Sequence, residues 1–451
     1  MKSLLVRNIH TLVTMNAARE EIKDSALLVH DGVIVQAGRA ADLPTTADVV
    51  LDLEGRHVVM PGLVNTHHHF YQTLTRAIPA AQNADLFDWL KTLYPIWARL
   101  TADGVRASAQ MCAAELMLSG CTTASDHLYM FPNDATLDGE IRAVQEMGLR
   151  FHASRGSMSV GESQGGLPPD SVVEREPAIL RDSQRLIETW HDNARYSMIR
   201  MTLAPCSPFT VSPALMRESA ALARSYPGVR LHTHLAECKR DVDHSVATFG
   251  KTPGDYAESV GWLGSDVWHA HCVWLDDAAI AQFSRSGTGV AHCPCSNMRL
   301  ASGFAPVRKL RRAGVAVGLG TDGAASNDAT NLFHEARQAF LSARVRDLDA
   351  AAMTAREALE IATLGGARVL GRDDIGSLGP GMAADFICID VDRPEVAGAL
   401  NDPVAALVLC GIGSVDYSFI NGRRVVDAGR LTTAEVPRLI EAVNRLAAAM
   451  V

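Results

Sequence analysis

The middle of the chain repeats one alternation, in which a short apolar run is followed by a longer stretch with helical spacing of its apolar positions. Such runs predict strands, and the stretches between them predict covering helices. The predicted strands occupy residues 62–67, 122–127, 150–154, 198–204, 229–234, 267–271, 289–292 and 316–320, and the predicted helices include residues 102–119, 177–193, 213–225, 276–286 and 355–363. Eight such units predict an α/β fold of the (β/α)8 TIM-barrel type. A doubly wound open sheet would need a glycine-rich phosphate turn after its first strand, and the sequence has none there.

The two ends of the chain follow a different pattern, made of short strands separated by turns. The predicted strands lie at residues 3–6, 25–30, 33–37 and 49–53 near the start, and at residues 385–390, 406–410, 415–420 and 424–426 near the end. Asp31-Gly32 and Asn421-Gly422 are hairpin signals. We therefore predict one small β-sandwich domain built from residues 1–58 and 372–451, which closes with a helix at residues 434–450 and flanks a barrel at residues 59–371.

Polar groups that can bind a metal stand at the ends of four predicted strands. They are His67 and His69 on the first, His234 with Glu237 beyond it on the fifth, His271 on the sixth and Asp322 on the eighth. In a barrel these ends meet at one face, where the chemistry of this fold takes place. Three imidazoles and one carboxylate (His67, His69, His234 and Asp322) suit Zn²⁺, and also Fe²⁺ or Mn²⁺. A metal of this kind activates water, and we expect Glu237, His271 and Asp322 to be the catalytic residues.

Other histidines leave alternatives open at this stage. His232 and His269 share the strand parity of His234 and His271 and are the runner-up ligands, whereas His68 should point away from the metal. For His127, His152 and His292 a structural role stays open. The end of the fourth strand reads Leu-Ala-Pro-Cys-Ser-Pro at residues 203–208 and carries no lysine that could bridge two metals, so we predict one metal ion per chain.

Composition limits the classes of partner that the protein can bind and indicates its cellular compartment. The chain has 451 residues and a net charge of −9 that is spread along it without long runs, which argues against nucleic-acid binding, since that binding needs a basic face. The sequence shows neither a secretion signal nor a run of the ~20 apolar residues that a membrane span requires. Nine scattered cysteines predict reduced thiols in the cytoplasm. A homodimer is the default assembly. Residues 156–176, rich in Gly, Ser and Pro, predict a functional loop or lid, with a disordered insertion as the alternative.

Several motifs together resemble the amidohydrolase superfamily and its mononuclear aminohydrolase branch. They are Met-Pro-Gly-Leu-Val-Asn-Thr-His-His-His (60–69), His-Leu-Ala-Glu (234–237), Ala-His-Cys-Val (270–273), His-Cys-Pro-Cys-Ser-Asn-Met-Arg-Leu-Ala-Ser-Gly (292–303), Gly-Thr-Asp-Gly (320–323) and Gly-Ser-Leu-Gly-Pro-Gly-Met-Ala-Ala-Asp (376–385). The resemblance covers nearly the whole chain. It implies the same four metal ligands, proton handling by Glu237 and His271, and a sandwich made from both termini.

The segment at residues 69–85 is similar to bacterial 8-oxoguanine deaminases, whose relatives include hydroxyatrazine ethylaminohydrolases. This likeness implies a purine-like substrate whose ring Gln72 would read, because an amide both donates and accepts hydrogen bonds. Trp89, Trp97, Cys295 and Asn297 are further candidates for contact with the substrate. Cys206-Ser-Pro-Phe209 replaces the Arg-Phe pair that is typical of guanine deaminases. Guanine, isoguanine and hydroxytriazines stay open as substrates, as do an amide- or lactam-cleaving activity and a barrel that binds without catalysis.

Overall fold

The structure is a computed structural model that describes residues 3–451; residues 1 and 2 of the predicted first segment lie outside the described residues. In chain order the strands are β1 (Ser3–Val13), β2 (Glu21–His30), β3 (Val33–Arg39), β4 (Val49–Asp52), β5 (His57–Pro61), β6 (Leu63–Asn65), β7 (Cys121–Leu128), β8 (Arg150–Ser157), β9 (Ile199–Pro205), β10 (Arg230–Leu235), β11 (Val267–His271), β12 (Gly289–His292), β13 (Val317–Leu319), β14 (Phe386–Asp390), β15 (Tyr417–Ile420), β16 (Arg423–Asp427) and β17 (Arg430–Leu431).

The α-helices follow the strands in the order that the alternation predicts. They are α1 (Leu86–Trp97), α2 (Ala102–Leu118), α3 (Leu137–Met147), α4 (Glu176–Trp190), α5 (Pro213–Arg224), α6 (Lys239–Phe249), α7 (Pro253–Ser259), α8 (Asp277–Ser286), α9 (Pro294–Arg299), α10 (Val307–Arg312), α11 (Leu332–Asp347), α12 (Ala355–Glu360), α13 (Gly366–Val369), α14 (Pro403–Ala406) and α15 (Val436–Met450). None of the helices described within residues 3–451 combines the length and apolar character that a membrane-spanning segment needs.

Strands β6 to β13 close into a parallel barrel of eight strands, in which β13 pairs with β6 through Leu319 and Asn65. This confirms the predicted (β/α)8 architecture. All residues of β7 and β8 are buried, as expected for strands covered by helices outside and by side chains inside. The carboxyl ends of β6, β10, β11 and β13 therefore bring the candidate site residues to one face.

A second sheet contains the strands of both termini, as predicted. It has nine strands, with β14 of the C-terminal part pairing antiparallel with β5 of the N-terminal part. The buried Arg150 at the start of β8 donates to Asp385 at 2.8 and 2.9 Å, which ties this sheet to the end of the barrel opposite the site. Strand β5 crosses the predicted boundary at residue 58, and the exact domain limits stay predictions.

One predicted strand is wrong. Residues 406–410 lie in α14 and in the π-helical turn Leu407–Gly411 that continues it. An apolar run of five residues without alternation fits a buried helical turn as well as a strand. The start of the helix decides between them, because the Asp402 side chain accepts the Ala405 N–H at 3.0 Å and Pro403 occupies the first turn.

The segment at residues 156–176 forms an ordered loop with two short 3-10 turns, Glu162–Gln164 and Asp170–Val172. The buried Arg155 holds its far end by donating to Glu174 at 2.9 and 3.0 Å. The loop residues do not line the candidate cavity among the residues described, and a lid function stays a prediction.

Candidate active site

Four of the predicted residues converge at the carboxyl face of the barrel. Nε2 of His67 and Nε2 of His69 lie 3.2 and 3.3 Å from the same oxygen, Oδ1 of Asp322. Nε2 of His69 also lies 3.2 Å from Nε2 of His234. Ligand atoms of His67, His69, His127 and His234 all lie within 4.8 Å of one another, and so do those of His67, His271 and Asp322. The arrangement brings three imidazoles and one carboxylate around one point.

The backs of the three imidazoles are held by hydrogen bonds that fix their tautomers. Nδ1 of His69 donates to the carbonyl of His127 at 2.7 Å, and Nδ1 of His234 donates to the carbonyl of Cys206 at 2.6 Å. Because a carbonyl can only accept, the proton of each neutral ring sits on Nδ1 and the lone pair sits on Nε2. Metal-binding histidines are oriented in this way.

His67 is oriented by a second imidazole. Nδ1 of His67 lies 2.7 Å from Nε2 of His232, and Nδ1 of His232 donates to the Trp268 carbonyl at 3.0 Å. Burial, above all, lowers the pKa of His232 well below its ordinary value, so the ring is neutral. Its Nε2 therefore accepts the proton of His67 Nδ1, which leaves the lone pair of His67 on Nε2. His232, the runner-up ligand, thus lies behind a candidate ligand.

The donor set fits a divalent cation. Nε2 of His67 is buried and makes no hydrogen bond among the residues described here, because its neighbour at 3.2 Å, Oδ1 of Asp322, is an acceptor like Nε2 itself. Burial lowers the pKa values of His67 and His69, and that of His234 to about 3, so all three are neutral. Burial acts to raise the pKa of Asp322, yet that pKa is lowered well below its ordinary value, and the three hydrogen bonds that the carboxylate accepts favour the ionised form. Neutral imidazoles with a carboxylate are the ligands of mononuclear zinc and iron sites.

Asp322 is fixed by its own loop and by a neighbouring helix. Its Oδ2 accepts the hydroxyls of Ser296 at 2.5 Å and Ser326 at 3.0 Å, and its Oδ1 accepts the Gly323 N–H at 2.7 Å. Asp322 has φ of +61°, and His271 has φ of +69°. Residues other than glycine rarely adopt this region, and such strain is concentrated at functional sites.

Glu237 and His271 face each other beside this cluster. Oε2 of Glu237 lies 3.6 Å from Nε2 of His271, and the other ring nitrogen of His271 lies 2.9 Å from Oδ1 of Asn297. Burial raises the pKa of Glu237 to about 7. Burial lowers the pKa of His271, but Glu237 and Asp322 outweigh it and raise that pKa overall. Glu237 therefore has the proton affinity of a group that can both take and return a proton near neutrality.

A small cavity opens beside these groups. Its lining includes His69, His234, Glu237, His271 and Asp322, the polar residues Gln72, Ser207 and Ser326, and an apolar wall of Leu86, Trp89, Leu90, Tyr94, Tyr129, Cys206, Phe209 and Leu300. A mostly apolar wall with a few polar groups is typical of a small-molecule site.

Of the residues predicted to contact substrate, Gln72 and Trp89 line the cavity, whereas Trp97, Cys295 and Asn297 do not. Oε1 of Gln72 is buried and has no partner in the described chain. Trp97 is fully buried and donates to Thr75 at 3.0 Å. The backbone N–H of Cys295 donates to Glu335 in α11, and Asn297 contacts His271. Because none of these three residues lines the cavity, the structure does not support a direct contact between them and the substrate.

The remaining barrel histidines divide between two environments. His68 lies at 3.9 Å from the Cys112 sulfur and points away from the cluster, as alternation predicts. Nε2 of His269 donates to the Trp262 carbonyl at 3.0 Å, and the ring packs against Phe283 on the helix side. His127 belongs to the imidazole cluster and stacks on His234 with the ring centroids 5.0 Å apart.

Sequence reasoning also missed residues that shape the site. Ser296, Tyr94 and Tyr129 lie far from the ligands in sequence, and Ser326, four residues beyond Asp322, carries no spacing signal. The one available signal was the position of Ser296 inside the 292–303 motif.

Comparison with known proteins gives the same picture as the fold and the cluster. The family model described as the amidohydrolase family matches residues 58–425. An 8-oxoguanine deaminase of Pseudomonas aeruginosa is 46% identical over 428 residues, which are 94% of each chain. A hydroxydechloroatrazine ethylaminohydrolase of a Pseudomonas species is 37% identical and covers 99% of this chain and 96% of its own. The crystal structure of an atrazine chlorohydrolase from Arthrobacter aurescens TC1 complexed with zinc is 33% identical, with a TM-score of 0.94 over 98% of this chain and 100% of that one.

A closed parallel barrel with a metal-binding cluster at its carboxyl face defines a metal-dependent hydrolase. The chain belongs to the amidohydrolase family. It is a hydrolase that acts on C–N bonds of a small molecule and has a site for a divalent metal.

Proposed function

We propose that the protein hydrolyses the exocyclic amine of an oxidised purine, 8-oxoguanine in the first place, to give urate and ammonia. The observation that carries this proposal is the Gln72 amide, which lies in the wall of the cavity with a buried Oε1 that none of the described residues binds. A purinone edge offers adjacent donor and acceptor atoms that an amide can bind in pairs. The relative from Pseudomonas aeruginosa, whose likeness extends over nearly the full chain, supports the same substrate class.

The Gln72 amide lies against Gly323, the residue that follows Asp322. A Cβ at Gly323 would lie 1.9 Å from Oε1 of Gln72, so only glycine leaves room for this amide beside Asp322. The amide therefore lies next to the carboxylate that would bind the metal, where a ring bound to it would present its amine-bearing carbon to the cluster. An unpartnered buried amide oxygen costs free energy of about 1–3 kcal/mol, and a substrate N–H would recover it.

We propose Zn²⁺ as the metal, held by His67, His69, His234 and Asp322. The bound cation would supply Lewis acidity that activates water for attack near neutral pH. The zinc in the related chlorohydrolase supports this choice, and Fe²⁺ is the alternative.

Proton movement falls to the protein's own side chains. Oε2 of Glu237 would take a proton from the attacking water as oxygen adds to the amine-bearing ring carbon. Glu237 would then return this proton to the departing nitrogen, so that the C–N bond breaks and ammonia leaves. Nε2 of His271, 3.6 Å from Glu237, would hydrogen-bond the adding oxygen, and Asn297 keeps that ring in position. Both the carboxyl and the imidazole line the cavity, which supports their roles in general acid–base catalysis.

A hydroxytriazine carrying an ethylamino group is the second candidate substrate. The ethylaminohydrolase relative and the triazine-hydrolysing structural neighbour favour it, as does the apolar wall around Phe209, which suits an alkyl group. The predicted homodimer and the cytoplasmic location stay predictions.

The test is ammonia release by zinc-loaded protein from 8-oxoguanine, guanine, isoguanine and an ethylamino-hydroxytriazine in parallel, scored as kcat/KM with ethylamine measured for the last compound. Preference for 8-oxoguanine supports the proposal. Preference for the triazine moves the protein to the second candidate. A carboxylate product from a lactam or amide would indicate a different hydrolase class, and ligand binding without turnover of any compound would indicate a binding protein.

A further inference from the structure

Glu335 is a fully buried carboxyl group that the proposed chemistry does not use. It lies in the first turn of α11, with the side chain inaccessible to solvent. Burial raises its pKa to about 7. A buried carboxyl is unfavourable unless its oxygens are satisfied, so its two contacts indicate what it does.

Each oxygen of Glu335 binds a different loop of the site. Oε2 accepts the backbone N–H of Cys295 at 3.1 Å, in the first turn of α9. Oε1 accepts Nδ2 of Asn327 at 2.8 Å, in the loop after β13. The carboxyl therefore connects the segment that follows β12 to the segment that follows β13.

The two residues that follow Cys295 in α9 each contact a side chain of the candidate site. Ser296, which follows Cys295, donates its hydroxyl to Asp322 at 2.5 Å. Asn297, the next residue, meets Nδ1 of His271 at 2.9 Å. The position of this helical turn thus sets both the carboxylate that would bind the metal and the imidazole beside Glu237.

The Asn327 contact leads to Asp322 along the chain. Nδ2 of Asn327 also donates to the carbonyl of Thr321 at 2.7 Å, one residue before Asp322. Asp322 has a left-handed backbone conformation, which persists only where its surroundings hold it. The two hydrogen bonds of Asn327 hold the residue that precedes this strained position.

We propose that Glu335 is a positioning residue that cross-links α9 to the Asp322 loop and thereby sets the relative positions of Asp322 and His271. The role in turnover rests on the proposed function, whereas the role in holding the metal-binding carboxylate does not. It also accounts for Cys295, whose backbone N–H binds Glu335.

Glu335→Gln is the primary variant, since it keeps the size of the side chain but leaves one acceptor for two donors. We expect kcat to fall about 10- to 100-fold with KM little changed, and zinc to be lost to a chelator at about tenfold lower chelator concentration. Asp385→Asn is the matched control: this buried carboxyl also accepts a backbone N–H, from Asn421, and side-chain N–H groups, from Arg150, at the opposite end of the barrel. It should lower the melting temperature and leave kcat and zinc retention unchanged.

A double-mutant cycle separates positioning from general destabilisation. If Glu335 acts through α9, adding Glu335→Gln to Asn297→Ala should slow turnover little beyond the slower single variant, whereas Asp385→Asn and Asn297→Ala should act independently. Fully multiplicative effects of Glu335→Gln and Asn297→Ala, or wild-type zinc retention in Glu335→Gln, would overturn the inference.

Two further outcomes have defined meanings. If Glu335→Gln does not fold, the half-buried Asn327→Ala removes the Asn327 arm alone, and wild-type kcat and zinc retention in that variant would overturn the inference. If the wild-type protein turns over none of the panel, the proposed function fails, and zinc retention in Glu335→Gln against Asp385→Asn still decides the positioning role.

Discussion

His232→Phe tests whether the hydrogen bond between His232 and the candidate ligand His67 affects metal affinity. The ring of His232 is fully buried and stacks on Trp268 with centroids 4.5 Å apart and planes 18° from parallel. Phenylalanine keeps the flat ring and this stacking, and removes both hydrogen bonds, to His67 and to the Trp268 carbonyl. The change therefore isolates hydrogen bonding from packing.

The expected loss appears in metal binding because of the tautomer of His67. Without an acceptor at position 232, the metal-free protein can move the His67 proton from Nδ1 to Nε2. Binding a cation at Nε2 forces the proton back to a buried Nδ1 that lacks a partner, which costs about 1–3 kcal/mol. Since about 1.4 kcal/mol is a factor of ten, zinc affinity should fall by roughly 5- to 150-fold. This range agrees with the usual effect of changing a residue that orients a ligand, about 10- to 100-fold.

Competition against a chromogenic chelator measures this loss directly, with zinc content and circular dichroism confirming a folded protein. His269→Phe is the control, since His269 is also a buried barrel imidazole with a carbonyl partner but faces Trp262 and Phe283. His269→Phe should retain wild-type zinc affinity. Equal affinities of His232→Phe and the wild type would refute the tautomer reasoning. His232→Gln, whose amide oxygen can replace the acceptor, should recover part of the affinity.

Three other predictions follow from the site and the fold. Glu237→Gln should keep its zinc while ammonia release falls by about 10²- to 10⁴-fold, because the amide cannot carry the proton; near-normal turnover would exclude that role. Gln72→Leu should lower kcat/KM for the preferred purinone by about 5- to 150-fold, the equivalent of about 1–3 kcal/mol for the partner it loses, and unchanged discrimination across the substrate panel would remove Gln72 from recognition. Asp374 is buried; burial acts to raise its pKa, but hydrogen bonds from Arg372 outweigh burial and lower it. A pKa that is lower in the folded state stabilises the fold above the unfolded-state pKa of about 3.9, and this stabilisation is lost as the pH falls toward the folded-state pKa. The difference in unfolding free energy between the wild type and Asp374→Asn, measured by denaturant melts, should therefore shrink below about pH 4. A constant difference would contradict the assignment.

The barrel and the candidate ligands could be predicted because both depend on local pattern. Eight apolar runs separated by helical stretches have few alternative architectures, and parallel strands bring their carboxyl ends together. His67 and His69 stand two residues apart on such an end, and Asp322 follows the last strand. Spacing on each strand was therefore enough to place the metal-binding groups at one face.

Parity within a strand was not enough to separate ligands from their neighbours. His232 faces the same way as His234 but lies about 6.6 Å deeper, so that it contacts the back of His67. His269 and His271 share parity as well, but His269 faces the helices and His271 faces the site. They differ because the backbone of His271 leaves the extended conformation, with φ of +69°. The alternation rule holds only while the backbone stays extended.

The same limit explains why the supporting residues could not be found in the sequence. The groups that hold the ligands lie 165 positions from His67, 58 from His69 and 28 from His234. Two of these three are backbone carbonyls, which any residue provides, so no residue type marks them. Side-chain chemistry at the front of the site is therefore visible in the sequence, whereas its orientation depends on backbone atoms that only the fold brings into contact. Variants of the ligands should consequently abolish metal binding, whereas variants of the residues that orient them should weaken it only in part. His232→Phe and Glu335→Gln are the first two variants of the second kind.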